Sequence, residues 1–246
     1  KVYMRDMLDV TKWLKLDLSL NAFYAKQTSH LSSSDEYGGN HLTSLPYATF
    51  FDENGEELSY TGYLMNGALQ QSVESVTGFS LDYMPVSDWR KSLDKRNTYS
   101  VRANAGLTID IFDGLSYEGR FQYMIDNSKS EQFYPGETYK VRLDRAFATD
   151  KNGVQYLPSS GGYFTMGNSY GTAYTVRNQL SYDKSVEKKH SHHVTALAGF
   201  ELNSNKSSSN ATFMRGYDMQ TMQHISYDDY NLSQTGVRDP LLPMIA

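Results

Sequence analysis

The chain has 246 residues, a net charge of −5 and no cysteine. Those numbers exclude disulfide scaffolds, thiol nucleophiles and cysteine-ligated zinc, and they give no electrostatic footprint for nucleic acid. Mean hydropathy is −0.58 and no window holds the ~18 consecutive apolar residues of a membrane helix, yet 20 tyrosines and 11 phenylalanines bring aromatics to 13 %.

In chain order, residues 3–10 are predicted as a first strand, entering a turn before Trp13. Residues 14–22 alternate without a break. Leu14, Leu16, Leu18, Leu20 and Ala22 fall on one face, and Lys15, Asp17, Ser19 and Asn21 on the other, as a strand with two unlike faces requires. The next strand, 99–111, sets Tyr99, Val101, Ala103, Ala105, Leu107, Ile109 and Ile111 against Arg102, Asn104, Gly106, Thr108 and Asp110. Asp113-Gly114 is a hairpin dipeptide. Its return strand opposes Tyr117, Gly119, Phe121, Tyr123 and Ile125 to Glu118, Arg120 and Gln122. Two further strands are predicted over 174–183 and 193–203, joined by a polar link at 184–191. Asn178 breaks the apolar row of the first and Leu197 the polar row of the second, with no sequence-level reason. No stretch carries helical periodicity longer than two turns.

Short connections (10–13, 113–114, 184–191) alternate strictly with long ones (25–98, 127–171 and from 204 on). In an up-and-down sheet this puts every short turn at one edge and every long loop at the other. Compact soluble domains seldom carry structureless loops beyond ~15 residues, whereas outer-membrane barrels carry them on their outer side. The predicted strands, most of them 9 to 13 residues long, exceed the ~5–6 usual in globular proteins and suffice to cross a tilted bilayer span. Aromatics gather at strand ends (Trp13, Tyr24, Tyr99, Phe112, Tyr123, Tyr174, Tyr182), as interfacial girdles do. The expected fold is all-β: an antiparallel transmembrane β-barrel segment of five to six long strands, with short periplasmic turns and long extracellular loops. Alternation also fits a soluble or surface-attached β-sandwich that binds glycans or adheres.

Chemistry-bearing patterns are sparse. His190, His192 and His193 cluster, but neighbouring strand positions face opposite ways, and no HExxH occurs. The acidic pairs Asp35-Glu36, Asp52-Glu53, Glu56-Glu57 and Asp228-Asp229 match no calcium-loop spacing and read as solvated loops. Residues 25–98 hold ten acidic and five basic side chains, which disfavours polyanionic cargo. The runs Ser32-Ser33-Ser34 and Ser207-Ser208-Ser209 read as loop composition. No nucleophile elbow, phosphate loop or dinucleotide fingerprint occurs, so neither a catalytic nor a metal site is expected. Loop aromatics such as Tyr37, Tyr47, Tyr60, Tyr63, Tyr139, Tyr156, Tyr163 and Phe164 have two readings: platforms for sugar or peptide, or the means by which long loops fold. Arg102, Glu118, Arg120, Arg177 and Glu201 lie on the polar faces and are the candidate lumen-facing, substrate-binding residues.

Four stretches, in order, carry a family resemblance. They are Thr11-Lys12-Trp13-Leu14-Lys15-Leu16, Phe51-Asp52-Glu53-Asn54-Gly55-Glu56, Phe112-Asp113-Gly114-Leu115, and Asn178-Gln179-Leu180-Ser181-Tyr182-Asp183 with the following His192-His193-Val194-Thr195-Ala196-Leu197-Ala198-Gly199-Phe200-Glu201. This set resembles the SusC/RagA family of TonB-linked (TonB-dependent) outer-membrane transporters. The resemblance implies that residues 1–246 are a central part of one receptor barrel domain of roughly 22 strands, without plug domain or signal peptide. It further implies import of oligosaccharides or peptides, a SusD-like surface lipoprotein over the barrel, and TonB acting through a part of the protein not in this chain. A surrounding outer-membrane lipid, a dimer of transporter–lipoprotein pairs and a Gram-negative, Bacteroidetes-type cell follow with it, and no enzyme activity, cofactor or nucleic acid.

Overall fold

The computed structural model describes residues 1–31, 49–188, 190–237 and 240–242. Seven strands pair in sequence order as one sheet: β1 (Val2–Thr11), β2 (Leu14–Ser29), β3 (Leu93–Phe112), β4 (Leu115–Tyr134), β5 (Gly162–Lys188), β6 (His190–Asp218) and β7 (Gln223–His224). Consecutive antiparallel pairing is the up-and-down topology of barrels, and the chain folds as a β-barrel segment. A sandwich needs a second sheet against the apolar face, and none is present among the described residues.

The strands are longer than their alternation indicates. β5 has 27 residues and β6 has 29, so the link at 184–191 is almost all strand, and the Ser207-Ser208-Ser209 run, read as loop, is strand too. Over 204–209 alternation vanishes because both rows are polar, while backbone pairing, which is indifferent to side chains, continues. β7 has no sequence signal at two residues.

Two compact units divide the chain. The first comprises Lys1–Lys26, Arg96–Lys129 and Gly167–Asn210 and is sheet alone. None of its described residues is buried. Register pairs Met4 with Leu20, Asp6 with Leu18 and Leu8 with Leu16 in one row, and Arg5 with Ser19 and Met7 with Asp17 in the other. The apolar row stands open: Met4 is 63 % exposed and Phe200 58 %. Gly114 closes the β3–β4 turn at φ +90°, where a Cβ would lie 2.8 Å from the Asp183 carbonyl oxygen. Gly114's own carbonyl accepts from the Asp183 N–H at 2.7 Å.

The second unit comprises Gln27–Lys95, Ser130–Met166 and Ala211–Ala246 and has a conventional core of Tyr60, Val73, Leu81, Tyr83, Tyr139, Leu143, Ala146 and Leu242. Contrary to the sequence expectation, its first long connection holds an 11-residue helix, α1 (Gly67–Thr77). Asn66 caps it by accepting from Ala68 N–H at 2.8 Å, and Gly78 ends it at φ +75°, the usual start and stop chemistry. α2 (Pro85–Lys91) starts on proline, and Glu57 accepts from Val86 N–H at 2.7 Å and Ser87 N–H at 3.0 Å. α3 is Tyr139–Phe147 and α4 is Asp229–Thr235. Two Asp-x-Asn-Gly loops repeat one geometry. In each, Asp52 or Asp150 accepts from the N–H groups two and four residues on, and Gly55 or Gly153 sits near φ +80°. Loop aromatics divide accordingly: Tyr60, Tyr139, Tyr163 and Phe164 are buried and fold the loops, while Tyr63 and Tyr156 stay exposed. Ser32-Ser33-Ser34, Asp35-Glu36, Tyr37 and Tyr47 lie outside the described residues.

Candidate functional site

The polar row of the sheet unit is the one place where the predicted site residues meet. Alternation puts Asp17 and Ser19 of β2, Asn104 of β3, Arg120 of β4, Thr175 and Arg177 of β5 and Glu201 of β6 on one side, and register adds Arg5 of β1. They line a shallow cavity of about 310 Å³. Arg5 grips Asp17 with two bonds, Nε to Oδ1 at 3.0 Å and Nη2 to Oδ2 at 2.7 Å, the bidentate geometry that guanidinium and carboxylate favour. Asn104 Nδ2 donates to Ser19 Oγ at 2.9 Å.

Of the five predicted residues, Arg120, Arg177 and Glu201 line this cavity; Arg102 and Glu118 do not. Arg102 donates to the Met124 sulfur at 3.2 Å, and Glu118 pairs with Arg120 two residues along β4. Arg177 donates to Gln179 Oε1 at 2.9 Å, and Glu201 accepts from Asn203 Nδ2 at 2.9 Å. The Thr175–Asn203 hydrogen bond at 2.7 Å fixes the β5–β6 register and sets Arg177 directly across from Glu201. Each turns to an amide on its own strand, so a cation and an anion face the cavity without being ion-paired to one another. The sequence reading missed Arg5 and Asp17. Asp17 was visible in the polar row of β2, but β1 mixes Met7 into its polar row and Asp6 into its apolar one, so only register reveals Arg5.

The histidine cluster gives no metal geometry that can be described. His193 is held by Ser185 Oγ at 3.0 Å and Thr195 Oγ1 at 3.1 Å, with Asp183 at 3.5 Å; the side chains of His190 and His192 lie outside the described residues. The remaining acidic pairs build structure: Asp52 its turn, Glu57 the start of α2, and Asp229 an acceptor for Tyr227 Oη at 3.0 Å.

The loop unit holds a second, larger hollow of about 840 Å³, walled by Phe133, Tyr217, Glu137, Gln220, His224 and Arg145. Tyr217 stacks on Phe164 at 4.5 Å between centroids, which makes it a rigid wall. Arg145 is 7 % exposed and donates to the carbonyls of Pro158 at 2.8 Å and Gly161 at 2.7 Å; burial pushes its guanidinium below its ordinary value. Its visible bonds brace the loop, because every acceptor is backbone.

No family model and no curated protein matches the chain. Solved structures do. The chain is similar to one in the structure of the RagAB peptide transporter, at 16 % identity and TM-score 0.59, covering 90 % of this chain and 22 % of that one. Two states of the RagAB peptide importer, "closed-closed" and "open-open", match at 16 % identity with TM-scores of 0.59 and 0.60, over 89 % and 90 % of this chain and 21 % of theirs. The chain therefore spans about a fifth of the length of the relatives it matches, and over that fifth it has their fold.

Proposed function

We propose that this chain is a stretch of barrel wall, with its outer loops, from a SusC/RagA-like TonB-dependent transporter of the outer membrane. Its cargo would be oligosaccharides or peptides, received from a SusD-like surface lipoprotein, in a dimer of such pairs. One observation carries this reading: a sheet unit in which no described residue is buried and the apolar row stands open. A single sheet in water would leave that row wet, at about 25 cal/mol per Å² of apolar surface, whereas lipid covers such rows in barrels. The ten-residue step from Leu14 to Tyr24 spans ~33 Å along the strand, or ~25 Å of depth at a barrel tilt of ~40°, close to the apolar band of outer-membrane barrels.

The opposite row favours passage of a polar solute. Arg5, Asp17, Arg120, Arg177 and Glu201 mix both signs, and Glu118 beside Arg120 offsets the third arginine, so neither anions nor cations are strongly excluded, and Arg177 and Glu201, not ion-paired to one another, offer both a donor and an acceptor. The similarity to a peptide transporter keeps peptides among the cargoes. No step of this function calls for a catalytic group.

Cysteine scanning in the native outer membrane tests the reading. A water-soluble maleimide should label Arg102→Cys and leave Ala103→Cys unlabelled until detergent is added. The reverse pattern, or recovery of the folded native protein from buffer without detergent, would falsify it.

A further inference from the structure

The hollow of the loop unit has in its wall a buried cation that no carboxylate of the described residues reaches. Arg145 lines the hollow and is 7 % exposed. A guanidinium has five N–H groups. Nε donates to Pro158 O at 2.8 Å and Nη2 to Gly161 O at 2.7 Å, while Gly136 O stands 3.5 Å from Nη1, at the outer limit of a hydrogen bond. Each terminal nitrogen therefore keeps one N–H group to give. The charge itself is met by carbonyl dipoles alone, whereas buried charges are ordinarily paired. Glu137 stands exposed at the rim and makes no ion pair with it.

The surroundings of Arg145 are fixed in advance. Gly161 and Gly216 hold φ of +76° and +66°, and a Cβ on Gly161 would collide with the Gly216 backbone, so the two chains touch there. A Cβ on Gly136 would stand 2.5 Å from Gly161 O, the same oxygen that Arg145 holds. Three stretches, 133–137, 158–162 and 216–225, are thus gathered around one guanidinium. The space they leave, about 840 Å³, is of the size that small ligands fill. Phe133 and Tyr217 form an apolar side, edge to face with centroids 6.3 Å apart, and Gln220, Gln223 and His224 bring hydrogen-bonding groups. Such a site loses little entropy on binding, because its parts are already in place.

We infer that this hollow holds a carboxylate group of the cargo, bound by the two remaining N–H groups of Arg145, with the cargo's own chain laid against Phe133 and Tyr217. A carboxylate offers two oxygens in one plane and takes two guanidinium N–H groups at once. Glu137 and Asp218, which also line the hollow, repel the second charge of a phosphate monoester and so select a single negative charge. Glu137 can accept from amide N–H or hydroxyl groups, so the end of a peptide and a uronic acid share the chemistry recognised here. The inference rests on the transporter reading above and adds to it the group by which the outer loops hold cargo.

Calorimetry on the full-length protein in detergent tests it with two pairs of probes: N-acetyl-glycyl-glycyl-leucine against its C-terminal amide, and trigalacturonate against its methyl ester. At least one acid should bind about ten- to a hundred-fold more tightly than its neutral partner, as charge-assisted hydrogen bonds allow, and the pair that does so names the source. In Arg145→Gln that ratio should fall to near one. A benzophenone-bearing form of the preferred acid should attach within 133–137 or 216–225, and this locates the site in the unaltered protein even if Arg145→Gln is not assembled. Equal binding of acid and neutral forms in both pairs, no binding by any of the four, or attachment elsewhere overturns the inference. Water-side labelling of Arg102→Cys but not Ala103→Cys, found together with any of these failures, leaves the transporter reading standing; the reverse labelling overturns both.

Discussion

Asp88 of α2 accepts a 2.8 Å hydrogen bond from the backbone N–H of Tyr139, the first residue of α3. The first amides of a helix have no partner inside it, and here the cap comes from another helix, 51 residues away in sequence. The same tyrosine ring packs 5.1 Å from Tyr83, so one residue ties the first long loop to the second.

Asp88→Ala should loosen the loop unit by ~1–3 kcal/mol, the cost of stranding a buried amide. Limited proteolysis of the outer loops in intact membranes measures it, as earlier cleavage within 84–92 and 135–148. Asp88 is 4 % exposed, and burial raises its carboxyl above the usual range. A raised acid binds its proton more tightly when folded, so its contribution to stability is full below the unfolded value near 3.9 and falls as pH rises through the folded one. Asp88→Asn, which keeps the acceptor, should remove that slope; a slope unchanged in Asp88→Asn would assign it to another group.

Tyr139 makes the corresponding case in alkali. Burial pushes its phenol up to about 12. Stability linked to it is full below the ordinary phenol value near 10 and is lost as pH climbs from there to about 12. Tyr139→Phe should show a shallower loss over that window when loop protection is followed against pH.

The row assignment predicts a contrast between neighbours on β2. Leu20→Arg should lower the amount of folded barrel by the equivalent of ~2–4 kcal/mol, the midplane cost of arginine on a lipid face. Asn21→Arg should be close to neutral. Heat-modifiable mobility in gels, with outer-membrane yield, reads both. Equal behaviour of the two would remove the distinction between lipid and water sides.

Gly216 has φ +66°, and a Cβ there would stand 2.7 Å from Pro158 Cβ. Left-handed backbone costs a non-glycine residue roughly 1–2 kcal/mol before any clash, so Gly216→Ala should exceed that in loop-unit stability. Gly55→Ala also sits at positive φ (+81°) but in open space, so it should cost only the backbone part. Comparing the two by proteolysis separates strain from collision.

How much of this was legible in the sequence depends on which solvent touched each residue. Residues 14–22 and 99–111 could be read as strands because one row of each is apolar and the other polar. The outer parts of β5 and β6, where Ser204, Lys206 and Ser208 alternate with Asn205, Ser207 and Ser209, carry no contrast and were read as loop. α1 was missed because only Val73 of its eleven residues is buried, too little to impress a helical period. Arg120, Arg177 and Glu201 could be assigned to one face by alternation alone, whereas the Arg5–Asp17 pair needed register, which no single strand encodes. Asn178 looked like an error of pattern until Tyr117 supplied its partner.

That no described residue of the sheet unit is buried has a bearing on its history as well as its place. Loops with the Tyr60–Val73–Tyr139 core carry their own reason to collapse in water. The sheet carries none: its strands gain little by pairing until hydrocarbon takes the place of water along the apolar row. On the proposed reading, folding and membrane entry are then a single event for the sheet, and before it the chain travels as an open, soluble thread that needs guarding from other copies of itself.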